Sequence, residues 1–123
     1  MASPLSGLRV LLVEDETLVA MLTESMLEDL GCELAGLACG LEEALDLAET
    51  ERFDLALLDI NLGGRQVFPV ADLLAQRGTP FVFTTGYGVS GLREDLRDRP
   101  SLAKPFRRDE LRDVLVGALE TAS

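Results

Sequence analysis

Short apolar runs alternate along this chain with segments whose apolar residues recur every three or four positions. The apolar runs are 8–13, 33–38, 55–58, 80–83 and 101–103, and the helical patterns cover 18–30, 41–51, 66–77 and 109–120. Runs of this length and composition are typical of strands that are buried on both faces. Their alternation with amphipathic helices predicts an α/β fold, in which a five-stranded parallel sheet is doubly wound, with helices on both faces.

The fourth crossover is the weak part of this pattern. Residues 87–100 contain glycine, proline and many charged residues, so we expect a short or irregular fourth helix, or a loop. Residues 1–7 are expected to form a flexible N-terminal tail. Residues 8–120 are expected to form one domain with no output domain attached.

Polar side chains follow four of the five predicted strands. They are Glu14 and Asp15 after the first strand, Asp59 after the third, Thr84 and Thr85 after the fourth, and Lys104 after the fifth. In the flavodoxin-like strand order 2-1-3-4-5 the second strand lies at the edge, so these side chains should meet at the carboxyl end of the sheet. Each also has a local explanation, since acids suit helix N-termini and Asp suits turns. Local preference does not explain why only the edge strand lacks a polar residue.

The chemistry of this predicted cluster follows from its charge. Three carboxylates in one pocket repel one another, and Lys104 supplies a single positive charge. Oxygen ligands without His or Cys favour a hard divalent cation, and Mg²⁺ suits carboxylates combined with phosphate oxygens. These groups are typical of phosphoryl transfer, with Asp59 as the candidate nucleophile that forms an aspartyl phosphate. Thr85 is a candidate hydrogen-bond donor to the bound phosphate.

Composition restricts the partners and the compartment. The formal net charge of −11 argues against binding to nucleic acid or to an anionic membrane, and no apolar run is long enough to span a bilayer. The chain has no histidine, which removes His-based acid–base chemistry. Cys32 and Cys39 form neither a disulfide framework nor a metal motif, so we expect both to be reduced and buried in a cytoplasmic protein.

Four motifs give the chain a specific resemblance when they are taken together in this order and spacing. They are Val13-Glu14-Asp15-Glu16, Leu57-Leu58-Asp59-Ile60-Asn61, Thr85-Gly86 and Lys104-Pro105-Phe106. With them the chain resembles a response-regulator receiver domain of two-component signalling, from about residue 7 to residue 120.

The resemblance implies a role for each matching residue. A sensor histidine kinase or a histidine phosphotransfer protein would donate a phosphoryl group to Asp59. Mg²⁺ would be held by Glu14, Asp15, Asp59 and the backbone carbonyl of Asn61. Thr85 would be the switch hydroxyl, and Lys104 would contact the phosphate. Such a domain is not an enzyme in the usual sense, although it catalyses its own phosphorylation and dephosphorylation. It would signal through protein–protein contacts as a monomer or weak dimer in the cytoplasm.

The chain departs from the usual receiver pattern at several positions. Ser101 replaces the aromatic residue that usually lies three positions before the lysine, and Gly63 stands where many receivers have proline. The chain is similar to a stand-alone receiver subgroup with a Phe-Ala-Thr-Gly-Tyr-like motif in two runs, residues 61–64 and residues 80–87. That subgroup tends to replace the fourth helix with a flexible segment. Tyr87, Ser101 and Phe106 are therefore the candidate switch or output positions.

Four other functions remain open from the sequence. A phosphate sink or a pseudo-receiver would share the fold but lack a phosphorylation-dependent output. A small Mg²⁺-dependent aspartyl phosphatase would need a second Asp two residues after the nucleophile, where this chain has Asn61. A flavin or nucleotide binder would need a glycine-rich phosphate loop after the first strand, where this chain has acids.

Overall fold

The structure is a computed structural model that describes residues 3–86 and 92–122. Its strands are β1 (Arg9–Val13), β2 (Glu33–Ala38), β3 (Leu55–Asp59), β4 (Asn61–Leu62), β5 (Arg65–Gln66), β6 (Phe81–Thr85) and β7 (Ser101–Ala103). Its helices are α1 (Thr17–Asp29), α2 (Leu41–Thr50), α3 (Phe68–Arg77) and α4 (Arg108–Ala122). Five strands form a parallel sheet in the order β2-β1-β3-β6-β7, which confirms the predicted fold and strand order.

Alternating side chains of the sheet build a core on each face. One core joins the sheet to α2 and α3, and the other joins it to α1 and α4. In the central strand β3, Ala56 and Leu58 belong to the first core, whereas Leu55 and Leu57 belong to the second. This arrangement explains why β3 is apolar on both faces and why every one of its residues is buried. The central strand therefore carries its last residue, Asp59, on a rigid support.

The crossover between β6 and β7 has no α-helix in its described part. A 3₁₀ turn at Glu94–Leu96 takes its place, with Leu92 and Leu96 buried in the core shared with α2 and α3. Arg93 ties this segment to α3, because its guanidinium donates to both carboxylate oxygens of Asp72 and lies over the Phe68 ring. The predicted short or irregular fourth helix is thus confirmed for residues 92–100, while residues 87–91 lie outside the described part.

A small β-hairpin follows the central strand, where the sequence predicts a loop leading directly into a helix from residue 66. Strands β4 and β5 pair antiparallel, with Asn61 opposite Gln66 and Leu62 opposite Arg65. The helix α3 consequently begins at Phe68, with Pro69 in its first turn, where the missing N–H group of proline is tolerated. This hairpin sits beside the end of β3, and so it borders the predicted site.

Two further expectations need correction. Residues 4–7 form turns rather than a loose tail, and Leu5 has no exposed surface because it packs into the core beside α1 and α4. Cys32 is buried as predicted, but Cys39 is exposed because it follows the edge strand β2. Both cysteines are free thiols.

Candidate functional site

The carboxyl ends of β3 and β6, with the residues that follow β1 and β7, border an open cleft of about 820 Å³. It is lined by residues of four strand ends and of the hairpin, including Asp15, Asp59, Asn61, Gln66, Thr85 and Lys104. Strand β2 contributes no lining residue, as the edge position of that strand predicts. The structure thus brings together the polar residues that the sequence assigns to one end of the sheet.

Three carboxylates form the acidic part of the site. Glu14, Asp15 and Asp59 each offer a ligand oxygen, and these oxygens lie within 4.8 Å of one another. Glu14 and Asp59 are buried, with 3% and 4% of their surface exposed, while Asp15 is half-buried. Like charges this close and this poorly hydrated repel strongly, so the cluster requires positive charge.

Lys104 supplies part of that charge. Its Nζ lies 3.1 Å from Glu14 Oε1 and 3.3 Å from Asp59 Oδ2, so it bridges two of the three carboxylates. Burial alone would lower the pKa of Lys104, but the hydrogen bond to Glu14 and the charges of Asp59 and Glu14 outweigh burial and raise it. Lys104 therefore stays protonated at neutral pH.

Ionisation of Asp59 is opposed by its surroundings. The pKa of Asp59 is raised to about 7, mainly by burial and then by the hydrogen bond and negative charge of Glu14. Lys104 acts in the opposite direction without cancelling it. A carboxyl group that resists ionisation in this way gains from any additional cation in the cluster.

Backbone amides hold the other polar groups of the site. Gly63 N–H donates to Asp15 Oδ2 at 2.9 Å, and Gly64 N–H donates to the Asn61 side-chain oxygen at 3.1 Å. The second oxygen of Glu14 accepts from the backbone N–H of Glu16 at 3.1 Å. The contact between Asp15 and Gly63 was missed in the sequence analysis. The Gly63-Gly64 pair between two short runs was a signal for it, since paired glycines favour a tight hairpin turn.

The remaining predicted site residues fall into two groups. Thr84 and Thr85 are both buried, and Thr85, the candidate hydroxyl, lines the cleft. Ser101 is half-buried and pairs with Phe83 in the sheet, so it lies away from the cleft. Phe106 is half-buried in an apolar groove beside α1, and Tyr87 lies outside the described residues.

The donor set fits a hard divalent cation. The cluster offers three carboxylate oxygens and no nitrogen or sulfur ligand, which suits Mg²⁺ better than zinc or copper. Burial and then Glu14 raise the pKa of Asp59, so an added cation would stabilise its ionised form. Asn61 lines the same cleft, next but one to Asp59 in the chain.

Comparisons with known proteins find relatives over most of the chain. The family model described as response regulator receiver domain matches residues 10–116. The transcriptional regulatory protein PdtaR of Mycobacterium tuberculosis is 35% identical over 107 residues, which cover 84% of this chain and 52% of PdtaR. The phyllosphere-induced regulator PhyR of Methylorubrum extorquens is 36% identical over 115 residues, which cover 89% of this chain and 43% of PhyR.

A solved structure is similar over its whole length. The solution structure of SdrG from Sphingomonas melonis aligns with a TM-score of 0.83 and 42% identity, covering 95% of this chain and 98% of that chain. By contrast, the chain spans about half the length of the curated relatives it matches.

These matches, together with the fold and the cleft, show that the chain belongs to the response-regulator receiver domain family. Domains of this family are signalling modules of two-component systems rather than conventional enzymes. In residues 3–86 and 92–122, no helix is both long enough and apolar enough to cross a membrane.

Proposed function

We propose that this receiver domain accepts a phosphoryl group on Asp59 from a histidine kinase or a histidine phosphotransfer protein, in a reaction that needs Mg²⁺. The observation that carries the proposal is the convergence of Glu14, Asp15 and Asp59 around Lys104, in a cleft that is open to a donor. Lys104 contacts Glu14 and Asp59, and of these two described carboxylates only Asp59 lines the cleft.

The chain's own residues have distinct tasks in this reaction. An oxygen of Asp59 attacks the phosphorus of the donor's phosphohistidine, and the new O–P bond forms as the P–N bond breaks. The bonding pair leaves with the imidazole of the donor, and the phosphoryl group stays on Asp59. Lys104, already 3.3 Å from Asp59, donates to an oxygen of the transferred group, and Thr85 lines the cleft where it can do the same.

Glu14, Asp15, Asp59 and the backbone carbonyl of Asn61 would hold the Mg²⁺ ion. The bound ion would supply positive charge that keeps Asp59 ionised and neutralises the phosphoryl oxygens. Asp59 is buried at the rigid end of β3, and this position fixes the direction from which its carboxylate meets the donor's phosphorus.

The donor is proposed to dock on α1. Leu18, Met21 and Leu22 are 70%, 61% and 55% exposed, and we call them the α1 stripe. Beside them lies an apolar groove of about 330 Å³, which shares Glu16, Gly86 and Lys104 with the cleft. Exposed apolar surface of this kind marks an interaction site, and its continuity with the cleft suits the protein that must deliver phosphate to Asp59.

The test is to incubate the full chain with acetyl phosphate and Mg²⁺ and to measure its intact mass. The mass of wild type should increase by one phosphoryl group, and excess chelator should prevent this increase. In a separate NMR experiment, beryllofluoride should shift the amide signals of Thr85 and Lys104 in wild type. Asp59→Asn should show neither response.

Asp54→Asn is the matched control, because Asp54 lies just before the other end of β3 and its side chain accepts from the Arg9 backbone N–H at 2.9 Å. It should behave as wild type. The proposal is wrong if wild type gains no mass and shows no beryllofluoride response, or if Asp59→Asn responds as wild type does. A response confined to Asp59 and its neighbours, without shifts in residues 92–103, would favour a phosphate sink over a switch.

A further inference from the structure

Asp15 differs from the other two carboxylates in what holds it. Lys104 contacts Glu14 and Asp59, whereas none of the ion pairs among residues 3–86 and 92–122 includes Asp15. Asp15 instead accepts a hydrogen bond from the backbone N–H of Gly63, 48 residues away, at 2.9 Å. Repulsion from Glu14 and Asp59 would otherwise favour a half-buried side chain that turns out into water.

The donating amide belongs to a turn whose shape depends on glycine. Gly63 and Gly64 connect β4 to β5 and have φ angles of +58° and +90°. Positive φ at both central residues is what a two-residue hairpin turn of this hand requires, and it disfavours most other residues. The hairpin is closed at its base by the Val67 N–H, which donates to the Ile60 carbonyl at 2.9 Å.

The hairpin is also fixed to a neighbouring helix. Arg65 in β5 donates to Glu42 of α2 at 2.7 Å, and Asn61 in β4 accepts from Gly64 within the turn. The amide of Gly63 is therefore a fixed donor. Proline, which many receivers carry at this position, has no N–H group and could not make the contact.

We propose that the Gly63 amide is a positioning group for the cation site: it holds the Asp15 carboxylate within 4.8 Å of Glu14 and Asp59 and so prepares the cluster to bind Mg²⁺. The inference rests on the proposed function, because it concerns the same Mg²⁺ site. A partner that orients a metal ligand typically changes metal affinity by about 10- to 100-fold when it is removed. We expect loss of the Gly63 N–H to weaken Mg²⁺ binding at least about tenfold.

The experiment compares wild type, Gly63→Pro and Gly64→Ala by amide NMR of the full chain during a Mg²⁺ titration. Gly63→Pro removes the donor. Gly64→Ala keeps the amide of residue 63 and controls for a side chain at a positive φ, where it meets no atom within 4 Å. Proline also imposes a negative φ on residue 63, so the amide signals of residues 61–66 must show that the hairpin persists in Gly63→Pro. A melting curve for each variant checks that the core is folded.

We expect Gly63→Pro to weaken Mg²⁺ binding at least about tenfold. Gly64→Ala should change the Mg²⁺ affinity less than about threefold, and its Gly63 amide proton should keep the wild-type chemical shift. Equal weakening in both variants, with that shift retained in Gly64→Ala, would overturn the proposal. Unchanged affinity in folded Gly63→Pro would overturn it as well. If wild type itself binds no Mg²⁺, it is the proposed function that fails.

A second measurement covers the case in which Gly63→Pro does not fold. In wild type the Gly63 amide proton should resonate at lower field than in Asp15→Ala, because a carboxylate acceptor deshields it. If wild type and Asp15→Ala give the same Gly63 amide shift, the contact is absent in solution and the inference is wrong.

Discussion

Replacing Asp59 with Asn is expected to stabilise the cation-free protein, although Asp59 is the proposed phosphoryl acceptor. The reason is that burial, assisted by the hydrogen bond and charge of Glu14, raises the pKa of Asp59 to about 7. In the unfolded chain the same carboxyl has its ordinary value of 3.8. Folding therefore opposes ionisation of Asp59, and Asn has no proton to lose.

The size and the sign of the effect follow from this difference. A tenfold change in proton affinity is worth about 1.4 kcal/mol, so a pKa of about 7 against 3.8 corresponds to about 4 kcal/mol at most. Because Glu14 shares the repulsion, we expect Asp59→Asn to gain about 2–4 kcal/mol. The stability that wild type owes to protonated Asp59 is complete below about pH 4 and is lost as the pH rises through about 7. The stability difference between Asp59→Asn and wild type should therefore grow over that range and level off above it.

Urea unfolding in excess chelator, at several values between about pH 5.5 and pH 8.5, measures this gain. For a chain of this length each kcal/mol moves the melting temperature by about 4 °C, so thermal melts should show it too. Asp54→Asn is the control and should not reproduce the growing difference. Saturating Mg²⁺ should stabilise wild type and so reduce the stability difference between Asp59→Asn and wild type. The reasoning is refuted if Asp59→Asn is no more stable than wild type at about pH 8, or if the difference does not change with pH.

Three other predictions concern separate parts of the molecule. Leu96→Ala should lower the free energy of unfolding by about 2–4 kcal/mol in urea titrations, because Leu96 is buried in the segment that replaces a fourth helix. A thiol reagent should modify Cys39 in the native protein and Cys32 only after unfolding, as judged by mass spectrometry, because burial shields Cys32 and raises its pKa. Replacing Met21 and Leu22 with serine should slow phosphotransfer from a protein donor about tenfold and leave the reaction with acetyl phosphate unchanged, since only the former needs the α1 stripe.

The fold could be predicted because its signals are regular and long. The edge strand β2 and the short strand β7 have the predicted bounds, Glu33–Ala38 and Ser101–Ala103. The meeting of Asp59 and Lys104 also followed from the sequence, because strand order decides which strand ends are neighbours.

The features that were missed depend on contacts between distant residues. Strands β4 and β5 have two residues each, which is too short for periodicity to detect. Leu5 looks like part of a polar tail, and its burial depends on the core formed beside α1 and α4. Cys39 has the same chemistry as Cys32, and only the edge position of β2 explains its exposure.

The stability and the proposed function of this domain have a common origin in the charge of its cleft. When all four groups are ionised, the three carboxylates and Lys104 leave two negative charges without a partner. Lys104 cannot remove the imbalance, because one ammonium bridges only Glu14 and Asp59, and a backbone amide must hold Asp15. Burial and the nearby Glu14 raise the pKa of Asp59, and the same uncompensated negative charge would make binding of a divalent cation favourable. A substitution that relieves the repulsion should stabilise the protein and weaken its affinity for Mg²⁺ at the same time.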